Sequence, residues 1–309
     1  MNKLAGVLQM ILPVLLILFV GMFCRKKGVV KKEGVEGLKA LVVNVCLPAV
    51  LIKAFLTASY SLGIVIITVS MFAICLAALG LGFVFKKLTK TNTATAPFLL
   101  TGFEAGMLGY ALYTLLFGAD AVTNFATVDL GQVLFVFTVY FSMLRRSEQG
   151  SLKTTLKAMA TSPVIIAIAV GVVIGATGLG SLITTSAAGS VVISIFEFVA
   201  APTAALILFV VGFDLKFERA NMKLCFSVVL TRLILMAAFC ALVLFGISAL
   251  IPVSTTLRWA FILMFLLPPP FVLPIFVKSE NESAFVSATL SLSTLLSLVA
   301  FAVIAFLIV

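Results

Sequence analysis

The chain has 309 residues, of which 63% are hydrophobic and only 10% charged. Soluble domains carry about 25% charged residues, so the composition excludes an ordinary soluble domain and points to an integral membrane protein. With no histidine, imidazole metal sites, imidazole proton relays and Ser-His triads are excluded as well. The five cysteines, Cys24, Cys46, Cys75, Cys225 and Cys240, show no CxxC spacing and read as reduced, buried apolar residues.

Apolar runs near 20 residues without strict alternation predict helices rather than a barrel. In chain order, ten spans are expected: 4–24, 34–58, 61–85, 94–117, 121–144, 160–180, 190–213, 224–250, 257–277 and 283–309. The first reads as a true span rather than a cleaved signal peptide. It is too long, lacks a small-residue cleavage site and is followed by Arg25-Lys26-Lys27.

Basic residues follow every second span. Arg25, Lys26, Lys27, Lys31 and Lys32 follow span one, and Lys86, Lys87 and Lys90 follow span three. Arg145, Arg146, Lys153 and Lys157 follow span five; Lys216, Arg219 and Lys223 follow span seven; Lys278 follows span nine. Only Lys3 and Arg258 fall on the other side. The positive-inside rule then makes these loops cytoplasmic, with both termini on the non-cytoplasmic side of a cell (inner) membrane. The net charge of +10 is thus a topology signal, and no nucleic-acid partner is expected.

Span four holds Thr101-Gly102-Phe103-Glu104-Ala105-Gly106-Met107-Leu108-Gly109-Tyr110. Each glycine weakens a helix by about 1 kcal/mol relative to alanine, so three in this stretch invite unwinding. A carboxylate at that depth costs roughly 2.5–3.5 kcal/mol on insertion scales, which usually marks function. Span nine holds Pro268-Pro269-Pro270, which cannot continue a helix because each proline removes a donor and crowds the preceding turn.

The two halves repeat weakly. Pro13 matches Pro163, Pro48 of Asn44-Val45-Cys46-Leu47-Pro48 matches Pro202, and Glu104 matches Pro268, at offsets of 150, 154 and 164. Five spans per repeat would send the second copy into the membrane upside down, so residues 1–150 and 151–309 are expected as inverted five-helix repeats. Interrupted helices at matching positions of two halves are the best sequence pointer to a transporter binding site.

The ten-span layout, NVCLP at 44–48, GMLGYALYTLLFG at 106–118, AAPTAALILFVVGFDL at 200–215 and FLLPPPFVLPIFVKSENE at 265–282 together resemble the auxin efflux carrier family of membrane transporters. The resemblance runs over essentially the whole chain. It implies an all-α membrane fold of ten helices in two inverted repeats. Spans one, two, six and seven would form a scaffold, and the rest a transport domain whose broken helices four and nine cross at mid-membrane. It further implies secondary transport of a small organic anion, such as malate or an auxin-like acid, by an elevator-type movement, and a homodimer formed through the scaffold. The chain departs from the family where an Asn-containing stretch and a leucine-glycine-proline pattern are common: here Glu104 is the polar residue and Tyr110-Ala111 follow Gly109. An ionised Glu104 would repel a carboxylate, so a cationic or neutral substrate stands as an alternative.

The expected substrate site comprises Asn44, Gly106, Gly109, Tyr110, Pro268, Pro269, Pro270 and Ser293, at or near the two breaks. Exposed helix N-termini there favour an anion and exposed C-termini a cation. Glu104 is the first candidate for ion coupling, because desolvation favours the protonated form of a carboxyl group and suits it to carry a proton; it could equally ligate Na⁺. Asp129 is the second, as either a ligand beside the break or a helix–helix hydrogen bond. Lys53 is expected to snorkel to the outer headgroups and Arg232 to the inner ones, with a carboxylate-gripping role as the alternative for Arg232. Glu197 would pair within the scaffold or line a vestibule. Tyr110 and Tyr113, three apart, share one helix face.

No cofactor is expected beyond a coupling ion, H⁺ or Na⁺; the other partners are the lipid bilayer and the substrate. A membrane enzyme lacks a nucleophile with its base, a channel lacks a ring of repeated polar residues, and ATP-driven transport lacks a Walker A motif. A non-transporting membrane sensor on the same fold is the second reading.

Overall fold

The computed structural model describes residues 3–58, 60–91, 93–146, 157, 160–215, 221–277 and 279–308. Lys153, Lys216, Arg219 and Lys278 of the topology pattern, and the boundary between the two expected repeats, lie outside the described residues. Among the described residues every regular element is helical.

Among the described residues seven helices are long and apolar enough to cross a bilayer: α1 (Val7–Lys27, within Lys3–Lys27), α2 (Lys32–Leu56), α3 (Leu62–Thr89), α6 (Ala119–Leu144), Ala187–Asp214, α11 (Met222–Leu250) and α13 (Glu280–Ile308). They coincide with the expected spans one, two, three, five, seven, eight and ten. Span seven is made of α9 (Ala187–Ala200) and α10 (Thr203–Asp214). Span six is not one straight helix: α7 (Pro163–Ala176) and α8 (Leu179–Thr185) meet at 87°. Spans four and nine are interrupted. The first comprises one helical turn, α4 (Ala96–Leu99), and then α5 (Ala105–Phe117). The second comprises α12 (Thr255–Leu266) and a short 3₁₀ turn, Leu273–Phe276.

Local chemistry explains several of these features. In α2, Pro48 has no N–H to offer the carbonyl of Asn44, and the helix widens by one residue just before it. Val42 to Cys46 form a π turn in which Val42 O accepts the N–H of Leu47. Side chains cap helix starts at Ser186 (to Gly189 N), Asn221 (to Leu224 N) and Ser254 (to Leu257 N), each supplying one of the orphan amides with an acceptor.

Contacts divide the chain into two compact units. The first comprises Met1–Ile64, Gly106–Ala126 and Leu156–Asp214. Within it α1 and α10 touch backbone to backbone: a Cβ on Gly21 would stand 2.2 Å from Phe209 O, and one on Gly212 would stand 2.1 Å from Leu18 O. Lipid offers apolar helices no hydrophobic reason to associate, so such small-residue seams carry the packing. Arg25 Nη1 donates to Phe213 O at 2.7 Å, capping the end of α10. Val35, Val210 and Phe213 form a buried cluster nearby.

The second unit comprises Val65–Ala105, Thr127–Thr155 and Leu215–Val309. There Gly131 of α6 rides on the backbone of α3, its absent Cβ only 2.1 Å from Thr68 O. The helices α11, α12 and α13 pack on one another. Both helix breaks, apart from Gly106 onward, belong to this unit.

Candidate functional site

The first break runs over 100–104, between α4 and α5. Gly102 adopts φ +67° there, and a Cβ at this position would stand 2.9 Å from Cγ of Pro270. The second break follows α12 at Leu267, whose backbone is extended (φ −69°, ψ 152°) ahead of the three prolines. The two breaks bond to each other. Glu104 N–H donates to Pro268 O at 2.9 Å, and the Glu104 carboxylate accepts the N–H of Phe271 at 2.5 Å. Glu104 is 8% exposed, so the acid is buried in contact with the other break.

The free carbonyls of the breaks are satisfied by side chains, as an interior without water demands. Arg232 supplies three of them. Its Nη1 donates to Leu99 O at 3.2 Å, and its Nη2 donates to Gly102 O at 2.6 Å and Leu267 O at 3.0 Å. Its guanidinium carbon lies 5.4 Å from the centre of the Phe103 ring, which packs edge-on against Phe265. The expectation that Arg232 reaches the inner headgroups is therefore corrected. It is 5% exposed and ten residues into α11, which begins at Met222. At 1.5 Å per residue that is about 15 Å along the helix, and the planar fork of a guanidinium suits several carbonyls at once.

Other side chains serve the remaining carbonyls. Tyr140 Oη donates to Phe98 O at 3.2 Å, and Gln132 Nε2 donates to Phe103 O at 2.9 Å. Gln132 Nε2 also lies 3.2 Å from Asp129 Oδ1, so Asp129 sits one hydrogen bond removed from the first break, buried at 3% exposure. Thr101 Oγ1 donates to Cys75 O at 2.7 Å, and Ser297 Oγ donates to Leu266 O.

Ser293 is buried and its Oγ has no hydrogen-bond partner among the described residues. With Arg232, Phe265 and Leu267 it lines a cavity of about 20 Å³, room for a single water-sized group. Gln132 and Phe103 were not among the sequence candidates. The only sequence signal for Gln132 is its i, i+3 spacing from Asp129, which puts both on one helix face.

The candidates fall in two groups. Glu104, Asp129, Pro268, Pro269, Pro270 and Ser293 all belong to the second unit, where Glu104, Pro268 and Pro270 are in direct contact with the opposite break. Asn44, Gly106, Gly109 and Tyr110 belong to the first unit. Asn44 is exposed within the π turn of α2, and Gly106 and Gly109 lie in the π turn that opens α5. Tyr110 is buried edge-on against Phe125, with ring centres 5.0 Å apart, and Tyr113 stacks on the same ring at 5.2 Å. Lys53 also departs from expectation: instead of reaching for headgroups its ammonium pairs with Glu197 at 2.8 Å and approaches Asp120 at 3.5 Å, all within the first unit.

Comparison with known proteins places this geometry. No curated protein matches the chain. The family described as membrane transport protein matches residues 6–305, nearly the whole length, and it is a family of transporters rather than of enzymes. Buried helices interrupted at two bonded breaks, in a chain with seven or more candidate spans, are what such a transporter would need to hold a solute within the bilayer. The chain belongs to this membrane transport protein family, the auxin efflux carriers, and is a multi-pass membrane transporter.

Proposed function

We propose that this protein is a secondary transporter of a small organic anion, a carboxylate, working by elevator-type alternating access and coupled to protons through Glu104. The observation that carries the reading is the bonded pair of breaks, with a carboxylate from one held on a backbone amide of the other. Such a carboxylate can exchange its amide partner for a proton or for a substrate group, which ties ion loading to the shape of the break. With Glu104 protonated, the positive charge of Arg232 offsets the Asp129 carboxylate in the same unit, so the proton-loaded unit admits an anion without net repulsion.

The wider architecture follows the same reading. We take the chain as ten spans in two inverted five-helix repeats, 1–150 and 151–309, with spans four and nine broken, in a cell (inner) membrane with both termini outside. Supporting it, the first unit holds spans one, two, six and seven together with the first residues of spans three and five, and the second holds the rest of spans three and five with spans eight, nine and ten. Residues 106–117 of span four group with the first unit. A homodimer would form through the scaffold, with spans two and seven as its candidate surfaces.

The test is thermal stabilisation of the purified protein by a panel of carboxylates at two pH values. A ligand that binds only the folded form raises the melting temperature with its occupancy. Stabilisation by one carboxylate that depends on pH and vanishes in Glu104→Gln supports the reading. Stabilisation only by cations or neutral solutes overturns it.

A further inference from the structure

Helix breaks in transporters expose carbonyl oxygens, and such oxygens, with a carboxylate, are the ordinary ligands of a coupling Na⁺. In this protein three of them, Leu99 O at the end of α4, Gly102 O from the first break and Leu267 O from the second, converge on one guanidinium at 3.2, 2.6 and 3.0 Å. Two more carbonyls, Phe98 O in the single turn of α4 and Phe103 O in the first break, already accept from Tyr140 and Gln132. The ring of Phe103 lies beside the guanidinium, where its electron-rich face adds to the stabilisation of a cation. Carbonyl dipoles from both breaks and an aromatic ring thus surround a single positive charge that is covalently part of α11.

We propose that Arg232 is the carrier's resident cation: it holds the carbonyl site that a coupling Na⁺ would otherwise use, so the transport cycle runs without Na⁺. A tethered guanidinium cannot dissociate on either side of a membrane, so it stabilises both breaks throughout the cycle and carries no ion gradient. Any cation coupling then falls to a group that can gain and lose its charge in place, which a carboxyl does and a guanidinium does not. The inference deepens the proposed coupling through Glu104 and rests on the chain's being a carrier. It does not depend on which solute is carried.

The test needs no substrate, so its failure is distinct from a failure of the anion reading. The full chain is purified and melted in NaCl and in choline chloride at equal ionic strength. Wild type is expected to melt at the same temperature in both. Arg232→Ser frees the three carbonyls; it is expected to melt lower in choline chloride and to gain a saturable, Na⁺-specific rise of about 3 °C or more. Arg232→Lys keeps a cation in place and is expected to stay indifferent to Na⁺. Na⁺-specific stabilisation of wild type, or its absence in a folded Arg232→Ser, overturns the proposal. Where Arg232→Ser does not fold, wild type and Arg232→Lys decide the matter: indifference of both to Na⁺ supports the proposal, and a Na⁺-specific rise in either overturns it.

Discussion

Glu104 and Phe271 stand 167 residues apart in sequence, yet the carboxylate of one accepts the backbone N–H of the other at 2.5 Å. Charge-assisted hydrogen bonds of this kind contribute about 1.5–3 kcal/mol, against 0.5–1.5 for neutral ones. Glu104→Gln keeps an acceptor for Phe271 and loses the charge, so it is expected to cost about 1 kcal/mol and to remove the pH dependence of uptake. Glu104→Ala leaves the amide unpaired and is expected to cost more, about 1–3 kcal/mol. Melting curves and uptake into proteoliposomes across a pH series check both. A Glu104→Gln protein with full pH-dependent uptake would refute the coupling role.

Gly102 joins two demands at one position. Its φ of +67° strains any residue with a Cβ by about 1–2 kcal/mol, and that Cβ would press on Pro270. Gly102→Ala is therefore expected to destabilise by more than backbone strain alone, roughly 2–4 kcal/mol, and to abolish uptake. Chemical or thermal denaturation of the purified variant gives the number.

Gln132 and Asp129 separate by a pair of substitutions. Gln132→Leu strips Phe103 O of its donor and is expected to cost about 1–3 kcal/mol. Asp129→Asn preserves an oxygen for Gln132 and removes only the charge. With Asp129 a helix–helix hydrogen-bond partner, that variant should keep both stability and the pH profile of uptake; a shifted profile would make it a second coupling group.

Tyr60 lies in the loop between α2 and α3 and donates its hydroxyl to Phe55 O at 2.7 Å. Burial pushes its phenol up to about 12. The unfolded phenol ionises first, near pH 10, so the stability from burying the neutral form is full below about pH 10. It is lost as pH rises from there towards about 12. Tyr60→Phe is expected to cost about 1 kcal/mol at neutral pH through the lost hydrogen bond and to flatten the alkaline decline. Melting temperatures between about pH 8 and 12 show whether it does.

What could be read beforehand follows from which signals residues carry in themselves. Pro268, Pro269 and Pro270 announce a break because a missing N–H is a property of the residue. Pro48 lacks an N–H in the same way, but the π turn that precedes it in α2 is seen only in the structure. Glu104 was legible as a costly acid in an apolar run. The partners of these groups were not legible, because most of them are backbone atoms that every residue owns. Gln132 binds Phe103 O, and Arg232 binds the carbonyls of residues 133, 130 and 35 positions away. A lone arginine in an apolar helix looks the same whether it reaches headgroups or fills a ring of carbonyls, and only the convergence of two distant breaks distinguishes the cases. The 87° turn between α7 and α8 likewise lay hidden in an apolar run that reads as one span.

Glu104, Asp129 and Arg232 are all buried in the second unit, and their grouping has an electrical consequence. Membrane voltage does work of about 2.3 kcal/mol on each elementary charge moved through 100 mV. With both carboxylates ionised the three side chains sum to one negative charge, and with one protonated they sum to none. Under the elevator reading, a unit carrying them across the field is driven by voltage in the first state and indifferent to it in the second. A carried monovalent anion adds one negative charge of its own. The proton-loaded unit then crosses with one negative charge and returns empty and deprotonated with one, so the cycle moves no net charge. Glu104→Gln, whose empty unit carries none, should instead show a voltage-dependent net current.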